Sequence, residues 1–112
     1  MELHGLHEYP IQMKKFMCQK ETLDFLRVYI DVTDEFVTSL HQQVLLNDHE
    51  HLLIQKLRWP SNRNELLQAL VKRQWTEAQF RALLQVLEET QSAQLASAFD
   101  TRAQQFVEGT AG

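Results

Sequence analysis

Between Asn64 and Phe99 the chain carries three helical stripes separated by two very short breaks, and this constrains the fold more than any other feature. Leu66, Leu67, Leu70 and Val71 share one helical face, and Phe80, Leu83, Leu84 and Leu87 share a second. Leu95, Ala96, Ala98 and Phe99 form a shorter third. Between the first two stripes, Thr76 and Gln79 have the spacing of a capping box, in which hydroxyl and amide each satisfy the other residue's free N–H. Trp75 precedes that cap and Phe80 falls at the fourth helical position, the arrangement of a hydrophobic staple, so Trp75 belongs to the core. Helices joined this tightly must be antiparallel or steeply crossed neighbours.

The remainder of the chain continues the pattern. Residues 1–12 contain Gly5 and Pro10, lack a period, and read as a flexible N-terminal arm. From about Lys14 to Val32 the pattern is helical, with Leu23, Leu26 and Ile30 on one face. Val32-Thr33-Asp34 marks a break, and Phe36, Val37, Leu40 and Val44 resume on a new stripe. Asn47, with Glu50 three residues on, or Asp48 caps a third helix carrying Leu52, Leu53, Ile54 and Leu57. That helix stops before Pro60, because proline pushes its predecessor out of the α region. Ser61 or Asn62 caps a fourth helix, with Glu65 at the capping-box offset from Asn62, the fifth follows Thr76, and a sixth runs from near Ser92 to about Val107. The expected architecture is all-α: a compact six-helix bundle over residues 13–107, with its first helix broken and 108–112 as a tail.

Composition removes several function classes. A chain of 112 residues holds one core, with little left over for an elaborate cleft. The three glycines, Gly5, Gly109 and Gly112, are all near the ends, so a glycine-rich phosphate loop is absent and an all-β fold lacks its turns. Cys18 is the single cysteine, which excludes a disulfide within the chain and fits a reducing compartment. A net charge of −4 argues against direct nucleic-acid binding, and no run is long enough for a membrane span. The expected location is cytoplasmic.

Catalytic and metal signatures are weak. His4 and His7 lack a nearby third ligand, and His49-Glu50-His51 places its histidines two apart, on different sides of a helix, where zinc proteases need four. Cys18 has no local nucleophile signature and reads as a solvent-facing or half-buried structural thiol. The expectation is a protein without catalytic residues, metal or cofactor. A basic fourth helix suggests a helix-turn-helix reader, but its bases are not gathered on one recognition helix.

Charge is more informative. From Glu21 to Glu50 the acids Glu21, Asp24, Asp31, Asp34, Glu35, Asp48 and Glu50 face Arg27 alone. From Lys56 to Arg81 the bases Lys56, Arg58, Arg63, Lys72, Arg73 and Arg81 face only Glu65 and Glu77. A charge run is ordinarily a solvated face. Two complementary sides, however, let one copy's basic face meet another's acidic face, and a head-to-tail contact that does not close builds a filament.

The order of motifs, LDFLRVYIDVTDEFVTSL, LLNDHEHLLIQKL, PSNRN, LLQALVKRQWTEAQFRALLQVLEET and SAQLASAF, resembles a caspase recruitment domain (CARD) of the death-fold superfamily. It is closest in look to the CARDs of cytosolic RNA-helicase sensors and their mitochondrial adaptor. The residues that carry the likeness are Leu66-Leu67, Trp75, Phe80, Leu87-Glu88-Glu89-Thr90 and Leu95-Ala96, and it spans roughly Thr22 to Phe99. Gln91 stands where that group commonly has Gly. The resemblance implies a non-catalytic adaptor that binds other CARDs or itself, in innate immunity or cell death, often as a helical filament. Its basic side would be Arg58, Arg63, Lys72 and Arg73, with Arg27 the first-helix candidate, and its acidic side Asp31, Asp34, Glu35 and Asp48. Trp59, ahead of Pro60, is either a half-buried core residue or an exposed interface anchor. The alternative is a free-standing helical regulator that binds one protein partner through an apolar groove.

Overall fold

A computed structural model describes residues 12–111. The expected arm, with His4 and His7, lies outside the described residues except for Gln12, which is helical. Every regular element among the described residues is α-helical: α1 (12–17), α2 (Lys20–Tyr29), α3 (Asp34–Gln42), α4 (Asp48–Lys56), α5 (Ser61–Lys72), α6 (Glu77–Thr90) and α7 (Ala93–Ala111). The radius of gyration, 13.9 Å, is close to the roughly 13 Å expected of a compact chain this long.

The expected six helices are seven among the described residues, because the segment after Lys14 breaks at Cys18–Gln19. The reason is a shift in stripe phase. At about 100° per residue, a continuous helix would put Lys20 and Asp24 within about 20° of the buried Met13. Instead Gln19 turns extended, the Lys20–Asp24 ion pair faces solvent, and α2 turns Thr22 and Leu26 inward. Met13, Phe16 and Met17 of α1 stay buried, and Phe16 packs its ring against Phe80, Phe99 and Phe106.

The break between Ile30 and Thr33 is present, and the Thr33 hydroxyl accepts from the Phe36 N–H to cap α3. Val44, expected on the stripe with Phe36, Val37 and Leu40, lies outside the helix. The Leu45 N–H donates to the Leu40 carbonyl and the Val44 N–H to that of His41, which is a Schellman ending. Val44 takes the left-handed position (φ 61°) with its side chain 72% exposed, and Leu45 and Leu46 fill the core in its place.

Two of the three expected capping boxes form, Asn47 with Glu50 on α4 and Thr76 with Gln79 on α6, and that of Asn62 with Glu65 does not. Trp75 and Phe80 on either side of the second are buried, and the Trp75 indole N–H donates to the Leu70 carbonyl (2.8 Å). The start of α5 differs from expectation. It follows the cis Trp59–Pro60 peptide directly and has no side-chain cap, the Asn62 side chain accepting instead from the adjacent Arg63 N–H. Of the apolar residues expected to bury α4, Ile54 alone is fully covered. At the other end α7 runs to Ala111, past the expected end at Val107.

Candidate protein-interaction surfaces

The basic residues expected to form one face have two different surroundings. Arg63 and Arg73 are half-buried and hold backbone: an Arg63 guanidinium nitrogen donates to the Arg27 carbonyl (3.2 Å) and one of Arg73 to the Val44 carbonyl (2.7 Å). The Arg27 carbonyl is in the last turn of α2, where carbonyls lack an intrahelical partner, so Arg63 caps that helix from outside. Lys14 does the same for α5, donating to the Val71 and Arg73 carbonyls. Arg58 and Lys72 stand exposed. Arg63 and Lys72 are nine positions apart on α5, which at about 100° per residue puts them on opposite flanks.

Arg27 joins this surface. It lines a groove between α2 and α5, of about 580 Å³, together with Leu23, Leu67, Val71 and Lys72. Arg27 is paired to Asp24 (2.9 Å), which also accepts from Lys20 (2.7 Å). The Lys20 hydrogen bond holds the Asp24 carboxyl below its ordinary range, and Asp24 in turn raises Lys20 above its own.

The acidic set divides as well. Asp31 lies in the α2–α3 corner, and Asp34 and Glu35 open α3, where the helix dipole favours negative charge. All three are exposed. Asp48 lies at the opposite end of α3, beside His41 (2.6 Å). His41 in turn stacks on His51, with ring centroids 4.3 Å apart, while His49 is exposed. Among the described residues no cluster of three His, Cys, Asp or Glu side chains is arranged to hold a metal, and no helix is long and apolar enough to cross a membrane.

Of the two places the sequence left open for Trp59, the exposed one is found: its side chain is 69% exposed, with the Arg63 guanidinium 5.3 Å from its ring centroid. Between α2 and α7 runs a second groove, of about 450 Å³, lined on its apolar side by Phe25, Tyr29, Leu95 and Ala98. Gln91 forms one end of it and is bonded to Asp31 twice, accepting from the Asp31 N–H (2.9 Å) and donating to the Asp31 carbonyl (2.8 Å). The sequence hint was Phe25 and Tyr29 beside the Leu23–Leu26–Ile30 face, one turn apart and not needed to fill it.

Compared with known proteins, the chain matches no family model, no curated protein and no solved structure.

Proposed function

We propose that this chain is a non-catalytic protein–protein interaction module of the CARD type, which binds other CARDs or further copies of itself to assemble signalling complexes in the cytoplasm, in innate immunity or cell death. One observation carries this reading: opposite charges far apart in sequence remain uncompensated in the folded chain. The ion pairs Lys20–Asp24, Arg27–Asp24 and Glu77–Arg81 and the His41–Asp48 hydrogen bond are all local. Among the described residues, none of Asp31, Asp34, Glu35, Arg58 or Lys72 forms an ion pair. Surfaces of this kind favour association with a partner of matching sign. The helix order supports this reading with α1 and α2 as the two halves of one first helix, which puts its break at Cys18–Gln19 and not at the expected Val32-Thr33-Asp34.

Arg58 and Lys72 are the residues for the test, since reversing Arg63 or Arg73 would also remove a backbone tie. Wild-type protein is expected to sediment as concentration-dependent oligomers or filaments at low salt, and to dissociate as salt screens the charges. Arg58→Glu with Lys72→Glu should abolish assembly while the helical circular dichroism is kept. A monomer at every ionic strength, with no binding to other CARDs, overturns the proposal. The α2–α7 groove favours a second reading, a small helical regulator with one protein partner, which would be a monomer or symmetric dimer insensitive to salt.

A further inference from the structure

We infer that the α2–α7 groove is the seat for Trp59 of a second copy of this chain, an inference that rests on the homotypic reading above. The two surfaces are opposites in shape and charge. Trp59 projects into solvent on the α4–α5 turn, with Arg58 next to it and the Arg63 guanidinium over its ring. It is a large apolar knob surrounded by positive charge, the side-chain pairing most enriched among residues that anchor interfaces.

The groove is concave and floored by Phe25, Tyr29, Leu95 and Ala98, and its volume of about 450 Å³ is ample for one indole. Next to its Gln91 end lie acids: Gln91 holds the Asp31 backbone by two hydrogen bonds, and the side chains of Asp31, Asp34 and Glu35 are all exposed. Phe25 itself is covered by the Arg102 guanidinium (4.5 Å), so positive charge lies on that side and the acids on the Gln91 side. An arriving Trp59 would set its ring against Tyr29, Leu95 and Ala98 and carry Arg58 towards Asp31 and Asp34. Opposite charges at the rim would fix the approach, and the buried ring would supply the affinity.

Knob and groove are different surfaces of one chain, so each copy that receives a Trp59 still presents its own. The contact is heterologous and leads to an open chain rather than a closed pair.

The test uses two variants that each destroy one half. Trp59→Ala removes the knob at an exposed position, and Ala98→Trp fills the groove from an exposed position on α7. Each alone should weaken self-association by about 30-fold or more, as loss of an anchor residue does. Mixed in equal amounts they should form dimers that grow no further, because one intact groove then meets one intact knob. Wild-type affinity in both single variants overturns the inference and leaves the homotypic reading standing, as does a mixture that stays monomeric beside an assembling wild type. Wild-type protein that never self-associates overturns both. Circular dichroism of the single variants shows whether the helices survive, and Trp59→Phe, which keeps a ring, should retain most of the association.

Discussion

The α6–α7 half of the molecule and the edge formed by α4 and its flanking turns are built on different principles. Around α6 and α7 the rings of Phe16, Phe80 and Phe99 meet at 5.4–6.3 Å, and Trp75, Leu83, Val86, Leu87 and Ala103 complete a buried apolar interior. At the other edge α4 commits only Ile54 fully to the core, and Leu52, Val44 and Trp59 face solvent. Beside the buried Leu45 and Leu46, directional polar ties hold that edge: the Asn47–Glu50 capping box, the His41–Asp48 pair and the guanidinium of Arg73 on the Val44 carbonyl. An edge held largely by hydrogen bonds leaves large apolar side chains available for other molecules, whereas the interior between α6 and α7 keeps its own rings covered.

The sharpest way to break this contrast is to truncate one residue on each side. Phe99→Ala should destabilise the protein by about 3–5 kcal/mol, read by chemical denaturation, because it removes a ring that touches three helices. That is a large share of the stability of a domain this size. If Leu52→Ala caused a comparable loss, the division into a packed half and a tied edge would be wrong, since an exposed position should change stability by no more than about 0.5 kcal/mol.

Ile54→Ala is the intermediate case, expected to cost about 2–3 kcal/mol. Its effect should be uneven, with amide exchange in α4 accelerated more than in α6 if the edge opens as its own unit. A smaller effect of opposite sign is expected at Val44. A β-branched residue at φ 61° is strained by roughly 1–2 kcal/mol. Val44→Gly should therefore raise stability by about 1 kcal/mol in thermal melts, and no gain would mean that the Arg73 tie and the Schellman bonds do not restrain this turn.

The smallest effect belongs to the exposed Lys20–Asp24 pair. Its hydrogen bond lowers Asp24 from 3.8 and raises Lys20 from 10.5. The Asp24 contribution is complete above its ordinary value and fades as pH falls through the lowered one; that of Lys20 is complete below 10.5 and fades as pH rises through the raised one. The stability difference between Asp24→Asn and wild type should thus be greatest near neutrality, vanish in acid and shrink with added salt.

Much of the fold was legible because its signals are local. The Thr76–Gln79 and Asn47–Glu50 boxes involve side chain and backbone three residues apart, and the Trp75–Phe80 staple is equally short-range. The break after Met17 was also written in the chain, where Lys20 and Asp24 occupy the phase of Met13, but a window running on to Leu23 and Leu26 averages the two stripes together. Val44 was misassigned because hydropathy says nothing of a left-handed turn. The candidate surfaces were legible as charge alone. That Arg63 and Arg73 are tied to the Arg27 and Val44 carbonyls depends on residues 36 and 29 positions away, and no spacing rule reaches that far.

The order of amphipathic segments and caps in this chain already required a helical bundle, because each cap and each apolar stripe is satisfied within a few residues of itself. What α2 finds across from it was decided only when the chain closed up. Packing chose which guanidinium would meet a carbonyl and which would stay in water, left Trp59 outside, and opened a groove beside Phe25. Those outcomes depend on the relative placement of helices, which a linear pattern of hydrophobicity and charge does not encode.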